Sequence, residues 1–287
     1  MIPEKLKHHI YNHLNSEIKT IQSVSGGDIS SAYKISTSTN SFFLKVNQTI
    51  QAQKMFETEA KALSIILDTQ TIKTPKVYAV DSFDGINFIL MEFIESQSPT
   101  KNDFILFGKQ LAELHLVTSQ SFGLKFDNFI GNLNQTNREH QNWSDFYIKE
   151  RLIPQFRLAK QRGLLNISEI PSFEILKKTC DPYFKAIKPS LLHGDLWSGN
   201  FIISKGGIPY LIDPASYFGH SEVDIAMSKL FGGFGHAFYE SYHRIIPKDP
   251  TTKQRIDLYQ LYYLLVHLNL FGRSYYGSVN RILNAYF

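Results

Sequence analysis

Leu191-Leu192-His193-Gly194-Asp195-Leu196-Trp197-Ser198-Gly199-Asn200, followed by Leu211-Ile212-Asp213-Pro214-Ala215, sets two acids and an amide at the spacing that phosphoryl transfer from ATP requires. In the D-x-x-x-x-N relation, Asp195 accepts the acceptor hydroxyl's proton and the Asn200 side chain holds a magnesium ion. Asp213 takes the remaining metal-binding slot. It ends a short apolar strand, Tyr210-Leu211-Ile212, which can hold a carboxylate rigidly.

Upstream, Ser41-Phe42-Phe43-Leu44-Lys45-Val46 embeds a lysine in an apolar strand, where a charge is costly without an anionic partner. An edge-strand lysine facing water is the alternative from this strand alone. The helix that follows weighs against it. Phe56, Glu59, Ala60, Leu63 and Leu67 share one stripe by the i, i+3, i+4, i+7 rule, so Glu59 points into the apolar face and Glu57 away. A strand lysine and an inward helix glutamate about a dozen residues on are the pair that positions ATP phosphates.

Weaker signals surround this pair. The Gly26-Gly27 segment before Lys45 can fold its N–H groups over phosphates, or can be a plain hairpin turn. Asn87 to Ile94 reads as a strand running into a linker, which makes the backbone of Glu92, Phe93 and Ile94 the candidate hinge for adenine. Trp197, between the base and the metal asparagine, suits stacking on the apolar face of a sugar, with packing as the alternative. His193 reads as a loop-shaping residue and His115 as a satisfied interior histidine.

The pattern around these residues predicts an α+β chain in two lobes. Residues 1–93 form a small antiparallel sheet with one long helix, from strands near residue 24 and at 32–35, 41–46, 77–80 and 87–93 and a helix over 52–67. Residues 94–287 form a larger, mainly helical lobe, with helices over 103–116, 143–161, 173–187, 222–230 and 252–270 and short strands beside the Asp195 loop. The amino terminus reads as an amphipathic helix, and the polar stretch from Asn132 to Asn142 as a surface loop.

At 287 residues the chain can bury roughly three quarters of its unfolded surface without a disulfide or structural metal. The one cysteine, Cys180, excludes an internal disulfide, and no Cys/His cluster shows zinc spacing. Cytoplasmic residence is the expectation. A net charge of +4 with scattered lysines and arginines speaks against nucleic-acid binding, and no apolar run approaches a membrane span. Aromatic residues make up 14% of the chain, concentrated after position 200, as a helical core rich in Phe and Tyr requires.

Together these stretches resemble the fructosamine kinase (ketosamine-3-kinase) family, relatives of the aminoglycoside phosphotransferases in the protein-kinase-like superfamily, over nearly the whole chain. The carrying segments are Met55 to Ala60, Met91-Glu92-Phe93, Leu111 to His115, His193 to Asn200, Asp213-Pro214-Ala215, Tyr217 to Glu222 and Phe231 to Phe234. Trp197 and the Gly219-His220-x-Glu222 run separate this family from aminoglycoside and choline kinases. The resemblance implies a two-lobed kinase fold and ATP- and magnesium-dependent phosphorylation of the sugar 3-hydroxyl of ketosamines, whose phosphorylated adducts eliminate and free the amine. In it Asp195 is the base, Asn200 and Asp213 hold magnesium, Lys45 and Glu59 position phosphates, and Trp197 lines the sugar site. Trp143 to Tyr147 with Arg151 corresponds to a family stretch near the acceptor.

Two departures stand out. Some relatives carry a cysteine in the Gly-rich loop, where this chain has Asp28. No Ala-Pro-Glu segment follows Asp213, so activation by loop phosphorylation is not expected. A kinase of another small hydroxylated amine, such as an aminoglycoside or choline, is the nearest rival. A pseudokinase binding module predicts loss of Lys45, Asp195, Asn200 or Asp213, and all four are present.

Overall fold

Strict alternation along two strands organises the first part of the chain. The computed structural model describes residues 2–24 and 30–287. Helix α1 (Glu4–Leu14) precedes β1 (Thr20–Val24), β2 (Ser31–Ser36) and β3 (Ser41–Asn47); α2 (Ala52–Asp68), β4 (Val77–Phe83) and β5 (Ile86–Glu92) follow. The five strands are antiparallel in the order β1-β2-β3-β5-β4. On one face Phe42, Leu44, Phe88 and Leu90 pack with Leu6 and Ile10 of α1. On the other, Ile89 and Met91 pack with Ala52, Phe56 and Leu63 of α2. A register shift in β4 between Val77 and Ala79 lets Val77 join the α2 side and Ala79 the α1 side.

The rest is mainly helical, as expected. Its elements are α3 (Lys101–His115), β6 (Asn128–Ile130), β7 (Leu133–Gln135), α4 (Trp143–Phe146), α5 (Ile153–Gln161), α6 (Phe173–Cys180), β8 (Ser190–Leu191), β9 (Phe201–Ile203), β10 (Pro209–Leu211), β11 (Phe218–Gly219), α7 (Glu222–Leu230), α8 (His236–Ile245), α9 (Thr252–Phe271) and α10 (Tyr276–Tyr286). Helix α9 packs against α5, α7 and α10 and is apolar nearly all round. Its Tyr259, Tyr262 and Tyr263 are buried in an aromatic-rich core. Among the described residues no helix is long and apolar enough to cross a membrane.

The chain divides into two compact units. One is Met1–Asp103 with Phe201–Asp213; the other is Phe104–Asn200 with Pro214–Phe287. The expected division after residue 93 is therefore not where these units part. The β9–β10 hairpin joins the first unit by backbone bonds: Leu211 N–H donates to Lys73 O (2.9 Å), Gln97 N–H to Ile203 O (3.0 Å) and Lys205 N–H to Glu95 O (2.8 Å). Asp213, at the end of this hairpin, belongs to the first unit.

Other expectations needed correcting. The helix expected over 173–187 stops at Cys180, because Pro182 has no N–H and its ring opposes a further turn. The helix expected over 143–161 contains a π turn at Tyr147–Leu152. Pro154 cannot donate to the carbonyl of Glu150, and Arg151 Nη1 does so instead at 3.0 Å. Asn132 to Asn142 is not a surface loop: it contains β7, and Gln135 and Asn137 are buried. Helices α8 and α10 were not anticipated.

Candidate active site

In the first unit Lys45 lies on β3 between Ala32 of β2 and Ile89 of β5, so alternation directs it to the α2 side. Only 6% of Lys45 is exposed. Glu59 follows Phe56 by three and precedes Leu63 by four on the buried stripe of α2, and its Oε1 accepts from Lys45 Nζ at 2.7 Å. Glu57, on the outer side, takes a bond from Gln53 instead. Lys45 also donates to the Asp213 carboxylate. Burial pulls the Lys45 ammonium toward neutrality, but the charges of Asp213 and Glu59 outweigh it and hold its pKa above the ordinary value. Burial, reinforced by the charge of Asp213, pushes the Glu59 carboxyl upward against the pull of Lys45.

Asp213 has φ of 54°, in the left-handed region that a non-glycine residue rarely adopts. The backbone turns sharply there after β10. Glu92 ends β5, its N–H bonded to Lys76 O at 2.8 Å, and Phe93 carries the Lys34 ammonium 4.3 Å above its ring. Phe93 and Ile94 are half-buried and leave the sheet. Gly26 and Gly27 lie outside the described residues.

In the second unit the loop from His193 to Asn200 is held by partners far away in sequence. Asn200 Nδ2 donates to Asp195 O (2.8 Å) and to Asp195 Oδ2 (3.1 Å), which ties the expected base to the expected metal ligand. His193 is buried, and its Nδ1 accepts the Asp195 N–H at 3.2 Å, the loop-shaping role expected of it. Asp224, fully buried in the first turn of α7, accepts the N–H of His193 (2.7 Å) and of Gly194 (2.8 Å). His115 Nε2 donates to the same carboxylate at 3.1 Å, and its Nδ1 accepts from Tyr242 OH at 2.8 Å. From α9, Tyr263 OH donates to Gly194 O at 2.8 Å. Gly194 has φ of 87°, and a Cβ there would stand 2.1 Å from the carbonyl oxygen of Ala215. No other residue fits.

Trp197 is half-buried, with its indole across Gly199: a Cβ on Gly199 would meet the ring at 2.4 Å. The absence of a side chain at Gly199 leaves room for the indole there.

Sequence reasoning missed Asp224 and Tyr263. For Asp224 a signal existed, since Glu222-Val223-Asp224-Ile225-Ala226-Met227 puts an acid in an otherwise buried run, the argument already applied to Glu59. Also missed was a buried amide set behind Ala215 and Ser216. Asn128 Nδ2 donates to Ser216 O (2.8 Å) and Gln135 Nε2 to Ala215 O (3.1 Å), while Arg151 Nη2 donates to Asn137 Oδ1 at 2.6 Å. Arg151 is 0% exposed and sits over the Tyr217 ring at 3.9 Å, so it acts through what it holds. Trp143 and Tyr147 are likewise buried. Trp143 Nε1 donates to Tyr259 OH (2.9 Å), which in turn donates to His220 Nδ1 (2.9 Å). Burial pushes the His220 pKa down to about 4.

The family model for fructosamine kinase matches residues 2–287. A chloroplastic protein-ribulosamine 3-kinase of Arabidopsis thaliana is 40% identical, over 94% of this chain and 83% of its own. A Haemophilus somnus protein whose crystal structure carries the fructosamine-3-kinase name is 29% identical and superposes with a TM-score of 0.88, covering 98% of this chain and 96% of that one. A thermostable mutant of the aminoglycoside phosphotransferase APH(4)-Ia, in a ternary complex with ADP and hygromycin B, shares the fold with a TM-score of 0.64 at 15% identity, covering 98% of each chain. The α+β fold is thus protein-kinase-like, with its antiparallel sheet first and its helical region after. The buried Lys45–Glu59 pair, the Asp195–Asn200 loop and this match have one reading: the chain belongs to the fructosamine kinase family.

Proposed function

We propose that the protein is an ATP-dependent kinase that phosphorylates the 3-hydroxyl of the sugar in ketosamines, such as fructosamine or ribulosamine adducts of amines or protein lysines, as a step of deglycation in the cytoplasm. The observation that carries the reading is the Asn200 amide bonded to the Asp195 carboxylate, which closes the D-x-x-x-x-N segment into one rigid unit.

In this reading Asp195 orients the sugar hydroxyl and accepts its proton as phosphoryl transfer proceeds. The Lys45 ammonium, kept positive by two carboxylates, positions the ATP phosphates, and Glu59 keeps Lys45 in place. Glu92, Phe93 and Ile94 supply backbone groups to adenine, and Gly26 and Gly27 supply N–H groups to phosphate. The half-exposed indole of Trp197 offers its face to the sugar. Asn200 and Asp213 fit magnesium by their chemistry: both offer hard oxygen ligands, and with Asn200 Nδ2 committed to Asp195 the amide oxygen would be the atom that ligates. When bound, the ion neutralises charge on the transferring phosphoryl group. The fully buried Cys180, its thiol pushed up to about 12 by burial, has no part in this chemistry.

The test is a panel of fructosamine, ribulosamine and erythrulosamine adducts, free and on protein lysines, assayed for ATP consumption with mass detection of the product. Phosphorylation of a ketosamine with release of the free amine is expected. Phosphorylation of a plain aminoglycoside or choline, with no ketosamine accepted, overturns the reading.

A further inference from the structure

Away from Lys45, on the opposite face of the same sheet, a second group of side chains converges. His9 and His13 stand one turn apart on α1, between the residues that dock the helix on the sheet. Asp81 of β4 pairs with Phe88 of β5, whose side chain belongs to the α1-side core, so alternation points Asp81 at α1. Both imidazole Nε2 atoms reach the same carboxylate oxygen, Asp81 Oδ2, at 2.8 Å from His9 and 2.9 Å from His13. The other oxygen, Oδ1, accepts the N–H of Ser82 at 2.8 Å.

The rings are held before any ligand arrives. His9 stacks on Phe83 at 4.6 Å, and both histidines set an edge contact against Phe88, at 6.0 and 5.7 Å. One ligand atom from each of the three residues lies within 4.8 Å of the others. In a tetrahedral shell with bonds of about 2.0–2.1 Å the ligand atoms stand about 3.3 Å apart, so a small outward movement admits an ion. All three side chains are partly exposed, which gives the ion an entry path and leaves room for water as a fourth ligand.

We propose that His9, His13 and Asp81 form a site for a zinc-class divalent ion that clamps α1 to β4. Two imidazoles and one carboxylate select zinc, cobalt or nickel over magnesium and calcium, which prefer all-oxygen shells. Coordination uses the Nε2 lone pair of the Nδ1–H tautomer of each ring. The site is hidden from sequence spacing because Asp81 is 72 residues from His9 and 68 from His13. It is independent of the kinase reading and is tested without activity.

Chelator-treated protein in excess Mg2+ is titrated with Zn2+ by calorimetry and with Co2+ by visible absorption, and its melting is followed with and without Zn2+. One Zn2+ per chain, a rise in melting temperature and cobalt bands of a four-coordinate ion are expected. His9→Gln, His13→Gln and Asp81→Asn are each expected to weaken Zn2+ binding at least about tenfold and to lose the rise. Since the histidines also pack on Phe83 and Phe88, the near-isosteric Asp81→Asn variant and the wild-type cobalt spectrum keep the test decisive if the histidine variants fold poorly. Absence of saturable binding, an unchanged melting temperature, or equal affinity in Asp81→Asn overturns the proposal.

Discussion

Lys45 stands in the middle of a regular strand whose neighbours are fixed by ladder pairing, whereas Asp195 stands in an irregular loop fixed by side chains from α3, α7 and α9. The first is positioned by local alternation and one helix stripe. The second depends on Asp224 and Tyr263, each tens of residues away in sequence. A strand positions a charge through many weak backbone bonds, so single changes around it matter little beyond the charge itself. A loop positioned by a few buried polar contacts is sensitive to each of them.

Changing the acid itself gives the largest effect. Asp195→Asn keeps the shape of the loop and removes the carboxylate proposed as the proton acceptor, and turnover should fall by roughly 10²- to 10⁴-fold while ATP affinity is largely kept. Steady-state kinetics with equilibrium nucleotide binding checks this, and near-normal turnover removes Asp195 from the base role.

On the strand side, Lys45→Met leaves Glu59 and Asp213 without their cation and should cost about 3–5 kcal/mol of stability at neutral pH. Because burial already pushes the Glu59 pKa up, Glu59 in this variant keeps its proton at lower pH. Denaturant unfolding should therefore show a smaller loss at pH 5 than at pH 8. An equal loss at both would mean that Glu59 is not the group left stranded.

On the loop side, Asp224→Ala orphans the N–H groups of His193 and Gly194, at roughly 1–3 kcal/mol each, and should lower kcat with little change in the KM for ATP. Asp224→Asn retains one acceptor and should recover part of both. If Asp224→Ala moved only stability and left kcat alone, the contrast between strand and loop would fail.

The smallest effect concerns pH. His220 is neutral in the fold, with its pKa down to about 4, while in the unfolded chain it has the ordinary value of 6.5. Between these values the unfolded chain binds more protons, so stability falls as pH drops from 6.5 toward 4, by at most about 1.4 kcal/mol per unit. Unfolding measured across that window should be flatter in His220→Asn than in the wild type, and identical slopes would refute the assignment.

Much of this was legible in the sequence, and for identifiable reasons. Lys45 and Glu59 were found because strand and helix periodicities place side chains without knowledge of the rest of the chain. Asp195 and Asn200 could be paired because the D-x-x-x-x-N spacing brings an amide back to its acid, and they do meet. The limits are equally specific. Asn132 to Asn142 looked like a solvated loop by composition, yet its Gln135 and Asn137 are buried because β6, Arg151 and Tyr262 satisfy their amides. The break at Cys180 and the π turn beside Pro154 were encoded in prolines whose effect depends on which carbonyl is left over.

By itself the sequence determined the fold class, the pairing of Lys45 with Glu59 and that of Asp195 with Asn200, since each follows from local pattern or spacing. Only the tertiary structure decided that Asp213 joins the first compact unit through the β9–β10 hairpin, that Asp224 and Tyr263 hold the loop, and that Asp81 meets His9 and His13. These are contacts between residues far apart in the chain. Local periodicity carries no information about which distant donor meets which acceptor; the packing of strands and helices sets that.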